Sequence, residues 1–305
     1  MKIAIIGDLH AGVREGNMLT MKFQLDYLSE VFIPYLTRNK IRHVRQTGDV
    51  FDVRKSTQTM VLREWKARFF DVLEQLGITL TTYVGNHDMA LKNRTHPNAI
   101  TENLSNYSNI NIIDKPTELS LGVNMLFIPW ICKENYDDCM EAINTSDADI
   151  CFGHFEVKGA KMESGVCEEG LPISTFKRFN RCISGHFHIA GDYENIKYVG
   201  TPYQMSWGDY GIDKGFWTLD TELDEMLFIR SDNEAYFKIT YNEDLKMDTV
   251  LSALDCEDKY VKVVIERRED YAKYEKWFAK LETKGMVDLK VIEPIMTLNA
   301  DDTEV

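Results

Sequence analysis

The sequence predicts an α/β fold built on a parallel sheet, with a small separate domain near the C-terminus. Three observations lead there. Short apolar runs alternate with amphipathic helical stretches, the pattern of strands joined by crossover helices. Several of those runs end abruptly in Gly followed by Asp, Asn or His. After about residue 232 the pattern resets to a strand, a helix and a strand.

Taken in order, residues 2–6 form the first apolar run and open onto Gly7-Asp8-Leu9-His10. In an extended chain Asp8 and His10 point to the same side. Over residues 19–39, Leu25, Leu28, Val31, Phe32, Tyr35 and Leu36 recur at helical spacing, and Pro34 predicts a kink. Residues 41–46 return as a strand that ends at Gly48-Asp49-Val50-Phe51-Asp52. A second amphipathic helix spans 57–76, and the strand 80–84 delivers Gly85-Asn86-His87-Asp88. Such loops lie at the carboxyl ends of parallel strands.

Past that loop, His96-Pro97-Asn98 is expected to open a short helix to about residue 106, with His96 as its cap. Runs 117–121 and 123–128, separated by Gly122, read as an antiparallel pair, so the second half is not expected to repeat the first. Strand 149–152 leads to Gly153-His154, and 182–184 leads to Gly185-His186-Phe187-His188. Residues 198–202 and a hairpin of 215–219 with 226–230 complete the layered sheet. Strand 260–266, helix 271–284 and strand 286–292 fit a small βαβ cap. The expected division is therefore 1–232, 233–295 and an acidic, disordered tail at 296–305.

Composition bounds the function. At 305 residues, 44% apolar and 28% charged, the chain has ordinary globular composition and can bury a large core. No apolar run approaches the roughly 20 residues of a membrane span, and the N-terminus reads as a first strand instead of a signal peptide. A cytoplasmic protein is expected, in the host cytoplasm if phage-encoded. Six cysteines without a Cys-x-x-Cys pair argue against zinc-finger and thioredoxin-like chemistry and are expected to be reduced.

The strand-end loops carry the chemistry. Five of the seven histidines lie in them, and each segment opens with glycine. Singly, an Asp-x-His or a Gly-His is an ordinary turn or a core histidine; the set points to one centre. Two divalent ions roughly 3.5–4 Å apart can clamp a phosphoryl group, activate water and stabilise a leaving oxygen, provided a carboxylate bridges them. Asp49 is the candidate bridge. Asp8, His10 and His188 complete one shell, and Asn86, His154 and His186 the other. Mixed imidazole and oxygen ligands suit manganese, iron or zinc better than magnesium. His87, without a metal to bind, is placed to position or protonate the phosphate and leaving group, with Asp52 and Asp88 orienting these groups from behind. His43 is read as structural.

The order Gly-Asp-x-His, Gly-Asp-x-x-Asp, Gly-Asn-His-Asp, Gly-His and Gly-His-x-His, from Asp8 to His188, resembles the calcineurin-like metallophosphoesterase superfamily. Gly48 to Asp52, the Gly-Thr-Pro after the last histidines and the small cap are similar to the SbcD-type DNA-repair nucleases, the meiotic recombination eleven family. Within it the likeness is greatest to the nuclease subunits of phage recombination endonucleases. The resemblance covers roughly residues 1–295. It implies a layered α-β-β-α sandwich with a small α+β cap that recognises DNA. It also implies a manganese-dependent double-strand 3′–5′ exonuclease and single-strand endonuclease, a homodimer, and an SbcC-type coiled-coil ATPase partner. Family members continue past the cap into helices that grip the ATPase. This sequence ends at Val305 in an acidic run, so a truncated chain or a different docking mode is expected.

The net charge of -14 opposes a basic DNA sleeve. Two ions at the centre, however, add about four positive charges against Asp8 and Asp49. Arg54, Lys55, Arg63, Lys66 and Arg68 form a local basic cluster that either contacts DNA backbone or is a solvated helix face. Met60, Ile100 and Leu104 are candidates for a helix-helix dimer interface or for plain core burial, and Trp207 and Tyr203 for base stacking or core packing. The competing enzymatic reading is a phosphodiesterase or phosphatase acting on a small or protein substrate. A scaffold that kept the fold and lost the chemistry would lack a ligand, and none is missing.

Overall fold

The computed structural model describes residues 1–162 and 165–293. Five short, largely buried strands carry the loops singled out above: β1 (Lys2–Ile6), β2 (His43–Gln46), β3 (Thr79–Tyr83), β4 (Ile150–Gly153) and β5 (Arg181–Ser184). Burial on both faces suits strands inside a parallel sheet. β1, β2 and β3 lie side by side in parallel, continued by Ile110–Ile113. β4 and β5 form a second parallel pair, flanked by parallel Asn124–Ile128 and Ile196–Tyr198.

Each group belongs to a six-stranded sheet. The hairpin Gly215–Asp220 and Glu225–Arg230 extends the first sheet antiparallel to β1. Thr117–Ser120 and Gly191–Tyr193 are the antiparallel edges of the second. The antiparallel pair expected near Gly122 is therefore present, but it forms only an edge. Beyond it the second sheet rebuilds the parallel centre of the first, which the expectation of no repeat missed.

One apolar core lies between the inner faces, with Ile3, Ile5, Tyr83 and Leu219 from one sheet and Met125, Phe127, Phe152 and Ile183 from the other. Helical residues 18–38 and 59–75 bury Leu25, Phe32, Leu36, Trp65, Phe69 and Leu73 against the outer face of the first sheet. Tyr136–Thr145 covers the second through Cys139 and Ile143. The α-β-β-α sandwich implied by the sequence is thus the fold. The bend expected at Pro34 takes the form of a π-type turn at Leu28–Phe32, just before a residue with no N–H to give to the preceding turn.

Three expectations change on the far side of β3. The short helix is Ala99–Leu104, and Asn98 caps it by accepting the Thr101 N–H at 2.8 Å. His96 instead lies in the strand Arg94–Asn98, 3.0 Å from an Asp114 oxygen. Ile100 and Leu104 are fully buried in the chain's own core, so they offer no surface to a second copy; Met60 is exposed. All six cysteines are free and buried.

The chain divides into compact units after Asn233. The second unit has three parallel strands in the order Tyr236–Asn242, Tyr260–Arg267 and Asp288–Ile292. Helices Met247–Ala253 and Tyr271–Glu282 connect them, and Tyr241, Val263, Trp277 and Leu281 share its core. The sequence reading had only the last three of these five elements. Met247–Ala253 escaped it because a seven-residue helix that buries only Met247 and Leu251 shows too little periodicity. The tail at 296–305 lies outside the described residues. Among the described residues no helix is long and apolar enough to cross a membrane.

Phe127 and Phe152 stack with ring centroids 5.0 Å apart, both fully buried between the sheets. Phe127→Ala should cost about 3–5 kcal/mol through lost burial and a cavity, read as a lower urea midpoint. A loss under about 1 kcal/mol would place the stabilising contacts elsewhere.

Candidate active site

The loops after β1, β2, β3, β4 and β5 leave the carboxyl ends of parallel strands and converge. Backbone bonds lock them together: the Leu9 and His10 N–H groups donate to the Asp49 carbonyl at 3.1 and 3.0 Å, and Gly185 donates to the Gly153 carbonyl at 3.1 Å. The opening glycines serve this close approach. A Cβ on Gly85 would stand 2.2 Å from Asp49 Oδ1, and one on Gly185 2.4 Å from Asp8 Oδ1. His10, Asp49 and His186 have φ of 44°, 52° and 82°, a left-handed conformation that non-glycine residues adopt at a cost and that concentrates at functional sites.

Side-chain partners settle which imidazole nitrogens face the centre. The Thr47 and Asp52 carbonyls only accept hydrogen bonds, so the ring nitrogens touching them must donate. His154 gives Nδ1–H to Thr47 at 2.7 Å. Its Nε2 lone pair then faces Asn86 Oδ1 at 2.9 Å and Asp49 Oδ2 at 3.2 Å. His10 gives Nδ1–H to Asp52 Oδ1 at 3.0 Å and turns Nε2 to His188 Nε2 at 3.1 Å. His186 Nδ1 lies 3.1 Å from the same Asn86 oxygen. Asp49 Oδ2 sits 3.9 Å from His10 Nε2 as well, between the two groups.

Once His10 and His154 release the protons that the carboxylates hold on them, these converging nitrogens and oxygens are the donor set a cation requires. Asp8, His10 and His188, and likewise Asp8, Asp49 and His154, offer ligand atoms within 4.8 Å of one another. A third cluster, His10, Asp52 and His87, is instead a hydrogen-bonded chain. Asp52 Oδ1 takes the His10 proton while its carbonyl takes His87 Nδ1–H at 2.7 Å. His87 also donates its backbone N–H to Asp49 Oδ1 at 2.7 Å. Asp88 accepts the Phe51 and Gly85 N–H groups at 3.0 and 2.9 Å and so ties the β2 loop to the β3 loop.

Electrostatics sort these groups. Burial, joined by the His154, His10 and His188 rings, holds His186 and His188 down at about 3, so both stay neutral. Burial also works against charge on His10 and His154. There the Asp52 hydrogen bond and the Asp49 and Asp8 carboxylates prevail, raising His10 to about 8 and His154 to about 10. Burial lifts Asp8 to about 6, and burial with the Asp49 charge lifts Asp88 to about 7. Asp49 is buried too, yet His154 and His10 keep it well below the usual carboxylate range.

Residues 1–190 match the calcineurin-like phosphoesterase family. The chain belongs to that family. It is a phosphoesterase, and divalent metal is the family's cofactor; the lone-pair geometry fits that requirement. Exonuclease subunit 1 of Enterobacteria phage T4 is 36% identical over 307 residues, covering 100% of this chain and 88% of that one. The SbcD component of the nuclease SbcCD from Staphylococcus epidermidis is 24% identical over 259 residues, covering 74% of this chain and 68% of its own length. Among solved structures, an archaeal phosphodiesterase aligns with 76% of this chain and 100% of its own at 12% identity and a TM-score of 0.39.

All ten residues singled out as ligands, donor or orienting groups come together in this phosphoesterase. The stacking and basic candidates divide. Tyr203 takes the core-packing alternative, fully buried with its hydroxyl donating to the Leu9 carbonyl at 2.7 Å, so it cannot stack on a base. Arg68 is engaged by Asp26 at 2.7 Å and Lys66 lies over the Tyr107 ring, whereas Arg54, Lys55 and Arg63 remain at the surface. Lys214 was missed: its buried ammonium donates to the His188 carbonyl at 3.0 Å. A lone Lys before Gly215 gave no signal of this. Trp130, whose ring lies 5.0 Å from His186, was missed too, although its place just after the parallel strand Asn124–Ile128 was a usable clue.

With folded values of about 8 and about 10, His10 and His154 both carry a proton at pH 7. A divalent ion needs both lone pairs. Loading at pH 7 should therefore release about two protons, and affinity should rise with pH across this range. Calorimetry in buffers of different ionisation enthalpy reads the number directly, and a value near zero would contradict the assignment. Gly85→Ala should lower metal occupancy in the same titration, because its methyl displaces Asp49.

Proposed function

We propose that the chain is a two-metal DNA nuclease, a double-strand 3′–5′ exonuclease and single-strand endonuclease of recombination and break repair. The observation that carries this reading is the convergence of Asp8, His10, Asp49, Asn86, His154, His186 and His188 in a chain similar over its whole length to a phage exonuclease subunit. Asp49 is the proposed bridge, its Oδ2 lying between His154 and His10. Asp8, His10 and His188 hold one ion, and Asn86, His154 and His186 the other. Manganese fits this imidazole-rich set. Bound ions of this kind polarise a phosphoryl group and activate water.

The remaining roles belong to the chain's own residues. His87 is held by the Asp52 carbonyl through Nδ1, which leaves Nε2 to protonate the leaving oxygen. Such a donor contributes about 10²–10⁴ in rate. Asp52 orients His10 and His87 together, and Asp88 fixes the two loops behind them. Arg54, Lys55 and Arg63 are the proposed backbone contacts. The unit from Glu234 is the proposed DNA-recognising cap, supported by a groove lined by Lys246, Lys273, Lys276 and Lys280. A homodimer and an SbcC-type ATPase complete the assembly, the latter because one relative is a component of SbcCD. Met60 is the dimer contact kept, and mass measurement at micromolar concentration tests that state.

Metal-stripped protein given Mn²⁺, Mg²⁺ or Zn²⁺ should cut linear duplex and circular single-stranded DNA, fastest with Mn²⁺. Cleavage of a small phosphodiester alone would favour the phosphodiesterase or phosphatase reading. His87→Ser should lose most activity while keeping both metals, whereas Asp49→Asn should lose occupancy as well. A metal site emptied by His87→Ser would refute that division of roles. DNA binding by the isolated chain should be weak and fall with salt; tight binding at about 200 mM salt would contradict it.

A further inference from the structure

On the His87 side of the centre lies a cavity of about 470 Å³, within the roughly 300–1,000 Å³ of small-ligand sites. His10, His87 and His188 form its floor, and Val13, Met205 and Trp207 give it apolar walls. A smaller cavity of about 180 Å³ adjoins His154 on the Trp130 side, and His87 does not line it. The larger cavity, which His87 lines, is therefore the one open to whatever is bonded to the oxygen that His87 protonates.

The Trp207 ring is half-buried and rigidly mounted. It opens a 3-10 turn, Trp207–Asp209, whose Asp209 Oδ2 accepts the Met205 and Ser206 N–H groups, both at 2.9 Å. The other Asp209 oxygen lies 2.5 Å from Lys214 Nζ. Lys214 in turn donates to the His188 carbonyl at 3.0 Å and to Thr201 Oγ1 at 2.8 Å. One buried ammonium thus ties the indole turn to the backbone of a proposed metal ligand, which fixes the ring relative to the reacting phosphate.

The indole lies 6.1 Å from the Tyr210 ring, centroid to centroid, and is partly exposed in the cavity; a base of any of the four kinds can stack on such an aromatic surface, because all have a π-face. An enzyme that must pass through every sequence needs such a contact, which reads none. Arg14 is the one Arg or Lys among the lining residues, beside the acidic Asp52 and Asp209.

We propose that this cavity holds the nucleoside on the leaving side of the scissile phosphate, with its base stacked on Trp207. The proposal rests on the nuclease reading above. For 3′–5′ digestion the leaving oxygen is the 3′ oxygen of the penultimate nucleotide. The test is single-turnover release of a labelled 3′-terminal nucleotide with Mn²⁺. One oligonucleotide is intact, one is abasic at the penultimate position and one is abasic at the terminal position.

Removing the penultimate base should slow the unaltered protein about 5- to 150-fold, the range set by one base-aromatic stack; the terminal abasic site should matter less. Trp207→Phe should keep most of that discrimination, and Trp207→Ala should bring the ratio between intact and penultimate-abasic substrates toward one. Melting curves check that both variants fold. Undiminished discrimination by Trp207→Ala, or none by the unaltered protein, would overturn the pocket and leave the nuclease reading standing. Failure to cut any oligonucleotide would overturn both.

Discussion

The Asp49 carboxylate is the point on which the rest of this structure depends. It is buried and ionised, with no Arg or Lys beside it among the described residues. Its Oδ1 accepts the His87 N–H, and its Oδ2 faces His154 and, farther off, His10. Its carbonyl holds the β1 loop through Leu9 and His10. A buried charge is costly unless it is paired and hydrogen-bonded. Pairing it with imidazoles makes that compensation exchangeable, since a proton on His154 and a divalent ion satisfy the same oxygen. A lysine in that position would stabilise the carboxylate and occupy the centre permanently.

Holding such a group needs backbone that would otherwise relax. His10, Asp49 and His186 are all left-handed, and each lies one to four residues beyond a buried parallel strand. Strain of this kind persists only where the surroundings over-determine it. Here three strands of one sheet and two of the other are joined by the core of Phe127, Phe152, Ile3, Ile5 and Ile183. The glycines at 85 and 185 then let the loops close to contact distance. Packing far from the chemistry thus sets the spacing of the ligands, as preorganised sites require.

The parts legible in the sequence were those whose signal is local. A strand that ends in Gly-Asp-x-His states both an element and a candidate ligand within a few residues, so the convergence of the strand-end groups was readable. Tyr203, Ile100 and Leu104 were left open between a surface role and the core, because an aromatic or apolar residue looks the same in sequence whether it faces a partner or its own core. Tertiary contacts decide that. Lys214 was invisible for the opposite reason. Its significance is a three-way contact among residues 188, 201 and 209, and no periodicity records it. His96 lost its capping role to Asn98, two residues on, where the side-chain oxygen reaches the Thr101 N–H.

The proposed action of an acidic chain on an acidic polymer is also intelligible in these terms. With a net charge of -14 the protein has little basic surface to rely on, and part of the basic cluster at residues 54–68 is absorbed internally, Arg68 by Asp26. Long-range attraction is therefore weak, and screening at physiological salt weakens it further. What remains acts at contact distance. On the proposed reading, bound cations at the centre would meet one phosphate and the indole of Trp207 a base, the latter through dispersion and the π-face, an attraction that salt leaves largely intact. Such a division would make local engagement of the reacting nucleotide strong and retention of the rest of the polymer poor. An enzyme built this way gains from a partner that holds DNA on its behalf, which is the physical case for a nuclease that works as one subunit of a larger machine.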